Sequence, residues 1–387
     1  MRLHSQLGHN DQAYTILVRS SLDIQSRVDY GYGVRDKTGD ILKQLNVGKN
    51  VLLLCQTSLP KQWLAIVHQS LDMQGFKVRL HLLPDGEDAK NLDVLAECWQ
   101  LMQAEEFTRN DSVVAVGGGA VTDIAGFCAS TYLRGINLFL IPTTLLAQVD
   151  ASVGGKTGIN LKAGKNLAGS FYFPRSVIVD PEFLTTLPAR DLKSGMGEIV
   201  KYAFIEDTIA EATDYKKGPR ALHSSLADNF AGGIDASNPA LGPLISCCIR
   251  MKLAVVIKDP YEKNLRRCLN LGHTLGHAIE KVSKYAVSHG ESVSIGTVFA
   301  FKLANKIGIV SDKDTAQVET LNNILGLPSE VPGDLDRDEL VRVLAFDKKR
   351  QGDSIKFVLP EKKLGRVSLD FSITAKELSK YLKQEQA

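Results

Sequence analysis

Three of the chain's eight histidines fall in one short stretch: Leu269-Asn270-Leu271-Gly272-His273-Thr274-Leu275-Gly276-His277, followed by His289-Gly290-Glu291. Leu271, Leu275, Ala278 and Ile279 recur at helical spacing, so His273 and His277 lie one turn apart on one helix face. Two imidazoles so placed suit one Zn²⁺ or one substrate. A carboxylate to join them is available in Gly197-Glu198-Ile199-Val200-Lys201, with Lys201 on the same helical face as Glu198. The plainer alternative is a helix carrying solvated histidines. The third histidine and a glycine loop upstream weigh against it.

That loop is Gly117-Gly118-Gly119-Ala120-Val121-Thr122-Asp123, entered from the apolar run Ser112–Val116. Glycines let backbone approach a pyrophosphate, and the helix that follows supplies N–H donors. The spacing is not GxGxxG, so a tight strand-to-helix turn is the competing reading. Asp85-Gly86-Glu87 follows another strand end, where carboxylates bind ribose hydroxyls or cap the next helix. Asp150-Ala151-Ser152-Val153-Gly154-Gly155-Lys156-Thr157 ends like a P-loop, but the first glycine of that pattern falls on Asp150. The strand before it also ends too early, at Ile141, so ATPase or kinase chemistry is disfavoured. Lys156, Lys162, Lys165 and Asn166 form a cationic, polar cluster that suits a phosphate or a carboxylate, or else a solvated loop. Arg266 is four residues before Asn270, and both project towards the histidine face if helicity extends that far. Asp347-Lys348-Lys349-Arg350 is a further basic knot or a solvated helix end.

The elements that position these residues divide the chain in two. Val51–Cys55, Val78–Leu83, Ser112–Val116, Asn137–Ile141 and Ser176–Val179 read as strands, alternating with helical stretches such as Pro60–Met73 and Asp88–Met102. This predicts an α/β, doubly wound, Rossmann-like parallel sheet over residues 1–187. Beyond Leu187-Pro188 the pattern is helical: Arg190–Ile205, Leu244–Ile257, His273–Val282, Ser292–Ile307 and Arg337–Phe346. Residues 188–387 therefore read as an all-α domain. Ser354–Leu359 is a candidate late strand, and Ala375–Gln384 a helix capped by Thr374. Tyr215–Gly242, rich in Gly, Pro, Ser and Asn, reads as an irregular excursion.

At 387 residues the chain is long enough for two full cores. Hydrophobic content of 44% and a net charge of +2 fit a soluble globular protein and give no bulk attraction for nucleic acid. Any anionic ligand must be held by local Lys and Arg clusters. The six cysteines form no CxxC pair and read as structural thiols of a reducing cytoplasm. No apolar run approaches the length of a membrane span, and the polar start Met1–Gln12 has no signal-peptide core. The expectation is a cytoplasmic protein with no membrane or nucleic-acid partner.

Taken together these segments resemble 3-dehydroquinate synthase, within the sugar-phosphate cyclase superfamily. The resemblance runs from about Asp85 to Leu359 and is weak before residue 80 and absent over about 210–243. Its strongest stretches are Arg134-Gly135, Leu140 through Asp150, Ser152 through Asn160, Gly164-Lys165-Asn166 and Leu269 through Thr274. It implies an NAD-binding first domain, a helical metal-binding second domain, a cleft site and a homodimer. It also implies metal ligands different from those the spacing suggests: Glu198, His273 and His289, with His277 in the substrate site. The implied reaction is the shikimate-pathway cyclisation of a seven-carbon 2-keto-3-deoxy sugar acid 7-phosphate to 3-dehydroquinate. NAD⁺ takes and returns a hydride, Zn²⁺ or Co²⁺ acidifies a hydroxyl, and phosphate leaves. Carried over by position, Lys156, Asn166, Arg134, His277, Lys348 and Lys349 bind substrate and its phosphate. Asp150, Lys201, Lys252, Arg266 and Asn270 complete the pocket, with Arg266 on the substrate carboxylate. Lys156, Glu198, Lys201, His277, Arg266, Asn270 and Asp150 are the catalytic set. Asp85, Glu87, Lys90, Gly118, Gly119, Asp123, Thr143, Thr144, Lys156, Lys165, Phe183 and Thr186 contact NAD. Ala203-Phe204 and the segment after Tyr215 depart from the family pattern and leave room for a cyclase of an aminated substrate. An NAD-linked, metal-dependent polyol dehydrogenase is the rival class, and net NADH release distinguishes it.

Overall fold

The computed structural model describes residues 13–19, 25–346 and 354–384, which form two compact units. The first comprises the chain through Pro188 together with Leu241–Leu253; the second comprises Ala189–Ala240 and the chain from Ala254 onward.

The first unit is built on a seven-stranded sheet. Its strands are β1 (Ala13–Arg19), β2 (Gln25–Gly31), β3 (Asn50–Gln56), β4 (Lys77–Leu83), β5 (Ser112–Gly117), β6 (Asn137–Pro142) and, after a separate hairpin β7 (Lys156–Leu161) and β8 (Gly164–Phe171), β9 (Ser176–Val179). Their order is β1-β2-β9-β6-β5-β3-β4, and every pairing except β1 with β2 is parallel. Parallel strands covered on both faces need apolar residues at every position rather than at alternate ones. Val51–Cys55 and Val113–Val116 meet that need and are fully buried. Val51, Leu53, Cys55, Val114, Val116, Phe139 and Ile141 share one cluster with Trp63, Val67 and Leu71 of the helix Lys61–Met73. The helix Gly119–Thr131 also lies against β5 and β6, where Gly126 approaches Leu138.

The chain leaves β3 for β4, then returns past β3 to β5 and continues outward through β6. The order therefore reverses between β3 and β5, the place where open α/β sheets bind ligands beyond their strand ends. The glycine loop 117–119 sits there.

The basic segment, for which a solvated loop was the plainer alternative, is the antiparallel hairpin β7–β8, packed on the helix Gly119–Thr131. This removes the P-loop resemblance: Gly154-Gly155-Lys156 runs into a strand, whereas a P-loop runs into a helix. The first part of the helix Leu241–Lys258 packs with the first unit: Tyr14 donates to Ser246 Oγ at 2.9 Å and Tyr30 to the Gly242 carbonyl at 2.7 Å.

The second unit is helical, as the 3.6-residue pattern predicts, with one hairpin added: β10 (Ser354–Pro360) pairs with β11 (Val367–Thr374). Its centre is the helix His289–Lys306, buried from Ser292 to Phe301. A helix apolar around its whole circumference must be enclosed. The helices Ala189–Ala203, His273–Val282 and Asp312–Ile324 and strand β10 pack around it. Helix Leu222–Asn229 interrupts the Gly- and Pro-rich excursion. All six cysteines are free thiols. Among the described residues no helix is long and apolar enough to cross a membrane.

Candidate active site

In the second unit each of the three expected metal ligands is the sequence neighbour of a glycine, and those glycines bring the helices together. A Cβ on Gly290 would stand 1.7 Å from the Ser194 carbonyl oxygen, and one on Gly197 would stand 2.1 Å from the Gly290 carbonyl oxygen. A Cβ on Gly296 would meet the Gly272 carbonyl at 2.0 Å. No side chain fits such gaps, so glycine sets the backbone separation here. Gly272 also has φ +79°, a left-handed value that glycine adopts without strain, and it starts the helix His273–Val282. Ser288 and Glu291 form a capping box that starts the next helix at His289.

Glu198, His273 and His289 converge as a result. Glu198 Oε1 lies 3.3 Å from His273 Nε2 and 3.0 Å from His289 Nε2, and one ligand atom from each residue lies within 4.8 Å of the others. Glu198 is fully buried and its other oxygen is paired with Lys201. Burial raises the Glu198 carboxyl, but Lys201 and the two imidazoles outweigh it and hold it well below the usual carboxylate range. Burial lowers His289, while Glu198 and Glu280 on its two ring nitrogens push it up to about 10. A buried carboxylate facing two imidazole nitrogens is a donor set that fits a divalent cation, with one carboxylate, two nitrogens and positions left open. His277 stacks near His289, ring centres 6.0 Å apart, and stands edge-on to His273. Solvent reaches its ring, yet the surrounding protein, together with His273 and His289, pushes it down to about 4. The i, i+4 spacing thus keeps His273 and His277 together, but it is His289, not His277, that joins His273 around Glu198.

Arg266 and Asn270 do not share the histidine helix face, because the helicity on which that expectation depended does not reach back to them. Residues Leu265–Asn270 form a 3₁₀ turn, and the left-handed Gly272 separates it from the helix. Asp259 organises the turn, accepting from the backbone N–H groups of Lys263, Asn264 and Arg266 at 2.7 to 3.0 Å. Arg266 is 2% exposed and donates to the Pro260 carbonyl at 2.6 Å. Asn270 donates to Glu262 Oε1 at 2.7 Å.

In the first unit several of the expected cofactor residues follow the ends of the parallel strands, while Asp123 lies in the helix Gly119–Thr131 and Lys165 in the hairpin β7–β8. Asp85, beyond β4, accepts from Thr57 Oγ1 and the Ser58 N–H, both at 2.9 Å and both beyond β3. The Ser58 contacts hold its carboxyl below the ordinary value. Glu87 accepts from Asn160 at 2.7 Å and lies 3.6 Å from Lys165. Lys90 is buried and donates to Asp123 at 2.6 Å and to Asn166 Oδ1, so three residues expected to serve cofactor and substrate form one network. Burial pushes the Asp123 carboxyl up against the pull of Lys90. At the switch point a Cβ on Gly118 would meet Thr144 Cγ2 at 3.1 Å, and one on Gly119 would meet Ala151 Cβ at 3.2 Å. Such a bare backbone cradle fits a pyrophosphate. Thr143 bonds back to the Gly117 carbonyl, and Thr144 accepts from Ala147. Thr186 accepts from the Trp63 indole at 2.7 Å, and Phe183 packs edge-on against that ring.

The expected substrate residues of this unit are more open. Lys156 is exposed at the start of β7, and Arg134 is exposed in a left-handed turn with φ +65°. Asp150 lies in a π-helical turn and pairs with Lys252 at 2.8 Å. Lys348 and Lys349 lie outside the described residues. The sequence reading missed Glu280, Asp259, Glu262 and the paired glycines. A glycine beside every expected ligand, and an acidic residue on the histidine face, were the available signals.

The N-terminal 3-dehydroquinate synthase family model matches residues 80–194, and the C-terminal model matches residues 195–350. The 3-dehydroquinate synthase of Rippkaea orientalis is 37% identical over 345 residues, covering 89% of this chain and 91% of that one. The crystal structure of 2-deoxy-scyllo-inosose synthase complexed with carbaglucose-6-phosphate, NAD⁺ and Co²⁺ is similar at a TM-score of 0.85 and 25% identity, covering 96% of this chain and 99% of that one. ValA, the 2-epi-5-epi-valiolone synthase of Streptomyces hygroscopicus subsp. jinggangensis 5008 with NAD⁺ and Zn²⁺ bound, follows at 0.76 and 26%, covering 88% and 92%. With family models matched continuously over residues 80–350 and a relative of this identity along most of its length, the chain belongs to the 3-dehydroquinate synthase family and is a cyclase of the lyase class.

Proposed function

We propose that the chain converts 3-deoxy-D-arabino-heptulosonate 7-phosphate to 3-dehydroquinate with release of phosphate, using NAD and a divalent metal, Zn²⁺ or Co²⁺. The observation that carries the reading is one continuous stretch, 259–289, that supplies both a buried arginine and two histidines gathered around Glu198. In this proposal Glu198, His273 and His289 hold the metal, and the strand-end residues from Asp85 to Thr186 hold NAD. A bound metal would acidify a coordinated hydroxyl, and bound NAD⁺ would accept and return a hydride.

The chain's own residues hold, orient and protonate. Lys201 keeps the Glu198 carboxylate ionised. Arg266 presents a guanidinium fork to the substrate carboxylate, with Asn270 beside it in the same turn. His277, uncharged at neutral pH, offers a neutral imidazole for hydrogen bonding. Lys156, Arg134, Asn166, Lys348 and Lys349 take the phosphate, and the Asp150–Lys252 pair supplies a further ammonium. With the phosphate taken by the lysines, a sugar phosphate that has no carboxylate leaves Arg266 without an anionic partner, which favours the carboxylated substrate. A cytoplasmic homodimer is part of the same proposal, and sedimentation of the purified chain tests the dimer.

The deciding experiment supplies the heptulosonate phosphate, NAD⁺ and Zn²⁺ and follows phosphate and NADH together. Phosphate release without accumulating NADH is expected. Stoichiometric NADH would replace the cyclase with a dehydrogenase, and equal turnover of a sugar phosphate lacking the carboxylate would reassign the substrate.

A further inference from the structure

We infer that Glu280 is the positioning residue of the metal centre: its carboxylate takes the Nδ1–H of His289 and so fixes which nitrogen that ring presents. The inference rests on the assignment of Glu198, His273 and His289 as ligands. Both imidazoles aim Nε2 at the same Glu198 oxygen, and both have Nδ1 tied from behind, but by different groups. His273 Nδ1 lies 3.1 Å from the Leu271 carbonyl, a neutral backbone acceptor two residues earlier in the chain. His289 Nδ1 lies 3.1 Å from Glu280 Oε2, an anionic acceptor on a different helix.

Glu280 is 7% exposed, and a carboxylate is buried only at considerable cost unless it is bonded. It lies seven residues after His273 and three after His277, on the same helix face. The end of that helix is fastened where Glu280 sits. The Tyr285 N–H bonds the Glu280 carbonyl at 2.7 Å, and Lys284 and Tyr285 both adopt left-handed φ values, 52° and 64°. The carboxylate is thereby held in place rather than left on a fraying terminus. A carboxylate behind a ligating imidazole fixes its tautomer and strengthens its donor nitrogen.

Glu280 also stands with His277 and His289 in a group whose ligand atoms lie within 4.8 Å of one another, so a second cation is the competing role. The two roles compete for one ring. If His289 gives Nε2 to the Glu198 centre, its Nδ1 keeps the proton and donates to Glu280, and no lone pair is left there for a second cation.

The test is Co²⁺ binding to the full-length apoprotein, read by chelator competition and by the ligand-field spectrum of the bound ion. Glu280→Gln keeps the size of the side chain and removes its charge. It should bind one Co²⁺ per chain, as wild type does, with affinity lowered about 10- to 100-fold and a shifted spectrum. Glu280→Asp should recover part of the affinity. The downfield His289 Nδ1–H resonance of the wild type should disappear in Glu280→Gln. Unchanged affinity and spectrum in Glu280→Gln would overturn the inference, as would a wild-type stoichiometry of two falling to one. If Glu280→Gln fails to fold, Glu280→Asp carries the test: wild-type affinity and spectrum with the Nδ1–H resonance lost would overturn the role. His289→Ala separates the underlying reading: full Co²⁺ affinity in that variant would remove the metal assignment itself, whatever Glu280 does.

Discussion

The two units build their sites by opposite means. In the first, side chains and bare glycine backbone collect at the ends of parallel strands, and several of the residues involved are exposed. Of the side chains collected there, Phe183 belongs to the apolar cluster of the sheet core. In the second, the proposed ligands emerge from helices in backbone contact, and Glu198 is fully buried. There the packing of the fold and the geometry of the site are the same contacts. Substitutions should therefore separate stability from function in the first unit and fail to separate them in the second.

Gly290→Ala should show the largest effect. Alanine gains about 1 kcal/mol of helix propensity over glycine. Its Cβ at 1.7 Å from a backbone oxygen nevertheless forces two helices apart, at a cost of about 3 kcal/mol or more. Urea unfolding should show a clearly lowered midpoint together with weakened Zn²⁺ affinity. A variant as stable as wild type would dissolve the contrast between the units.

Arg266→Ala comes next. Losing a buried charge-assisted contact costs about 2–5 kcal/mol. Turnover of the heptulosonate phosphate should fall at least about tenfold with metal content intact. If metal content falls in step, the turn and the metal centre are one structural unit, and the comparison sharpens.

Gly118→Ala should have a smaller and cleaner consequence. Its Cβ would touch a methyl group at 3.1 Å, which a threonine side chain relieves by a small shift. Thermal stability should stay within about 1 kcal/mol of wild type, while the KM for NAD⁺ rises several-fold. A loss of stability as large as that of Gly290→Ala would erase the difference between the units.

The smallest effect lies away from both sites, at Asp207 in the second unit. Lys217 and Lys363 pair with it and, against the opposing effect of burial, hold its carboxyl below the ordinary value. A depressed folded pKa means that its stabilisation is complete above the unfolded value of about 4 and is lost as pH falls through the folded one. Asp207→Asn should therefore be less stable than wild type at neutral pH, with the difference closing on acidification below about pH 4. A difference independent of pH would point to packing instead of charge.

The sheet was legible because buried parallel strands need unbroken apolar runs, and Val51–Cys55 and Val113–Val116 carry no other message. The histidine helix was legible because its apolar spacing and its chemistry coincide. The hairpin β7–β8 was not: Lys156, Asn160, Lys162 and Lys165, interspersed with Gly158 and Gly164, make the stretch polar, and Ile159 and Leu161 are too few to set a strand pattern. Local spacing pointed to His277 as the partner of His273, since spacing reports only neighbours on one helix. The approach of His289 from another helix is a tertiary contact set by Gly197 and Gly290. Asp259 was invisible for a similar reason: its work is done by three backbone N–H groups that no side-chain pattern encodes.

Those glycine contacts also bear on the order of events in making the enzyme. Backbone held by backbone needs no ion to draw it together, unlike a zinc finger, whose ligands meet only when the metal arrives. The second unit should complete its helix packing while still empty, and the newly made chain would then acquire its ion as a finished receptor. Loading would be a late and reversible event in maturation, open to whichever divalent cation the cell supplies. Chelated protein should keep its full far-ultraviolet circular dichroism and recover on addition of metal without passing through the unfolded state.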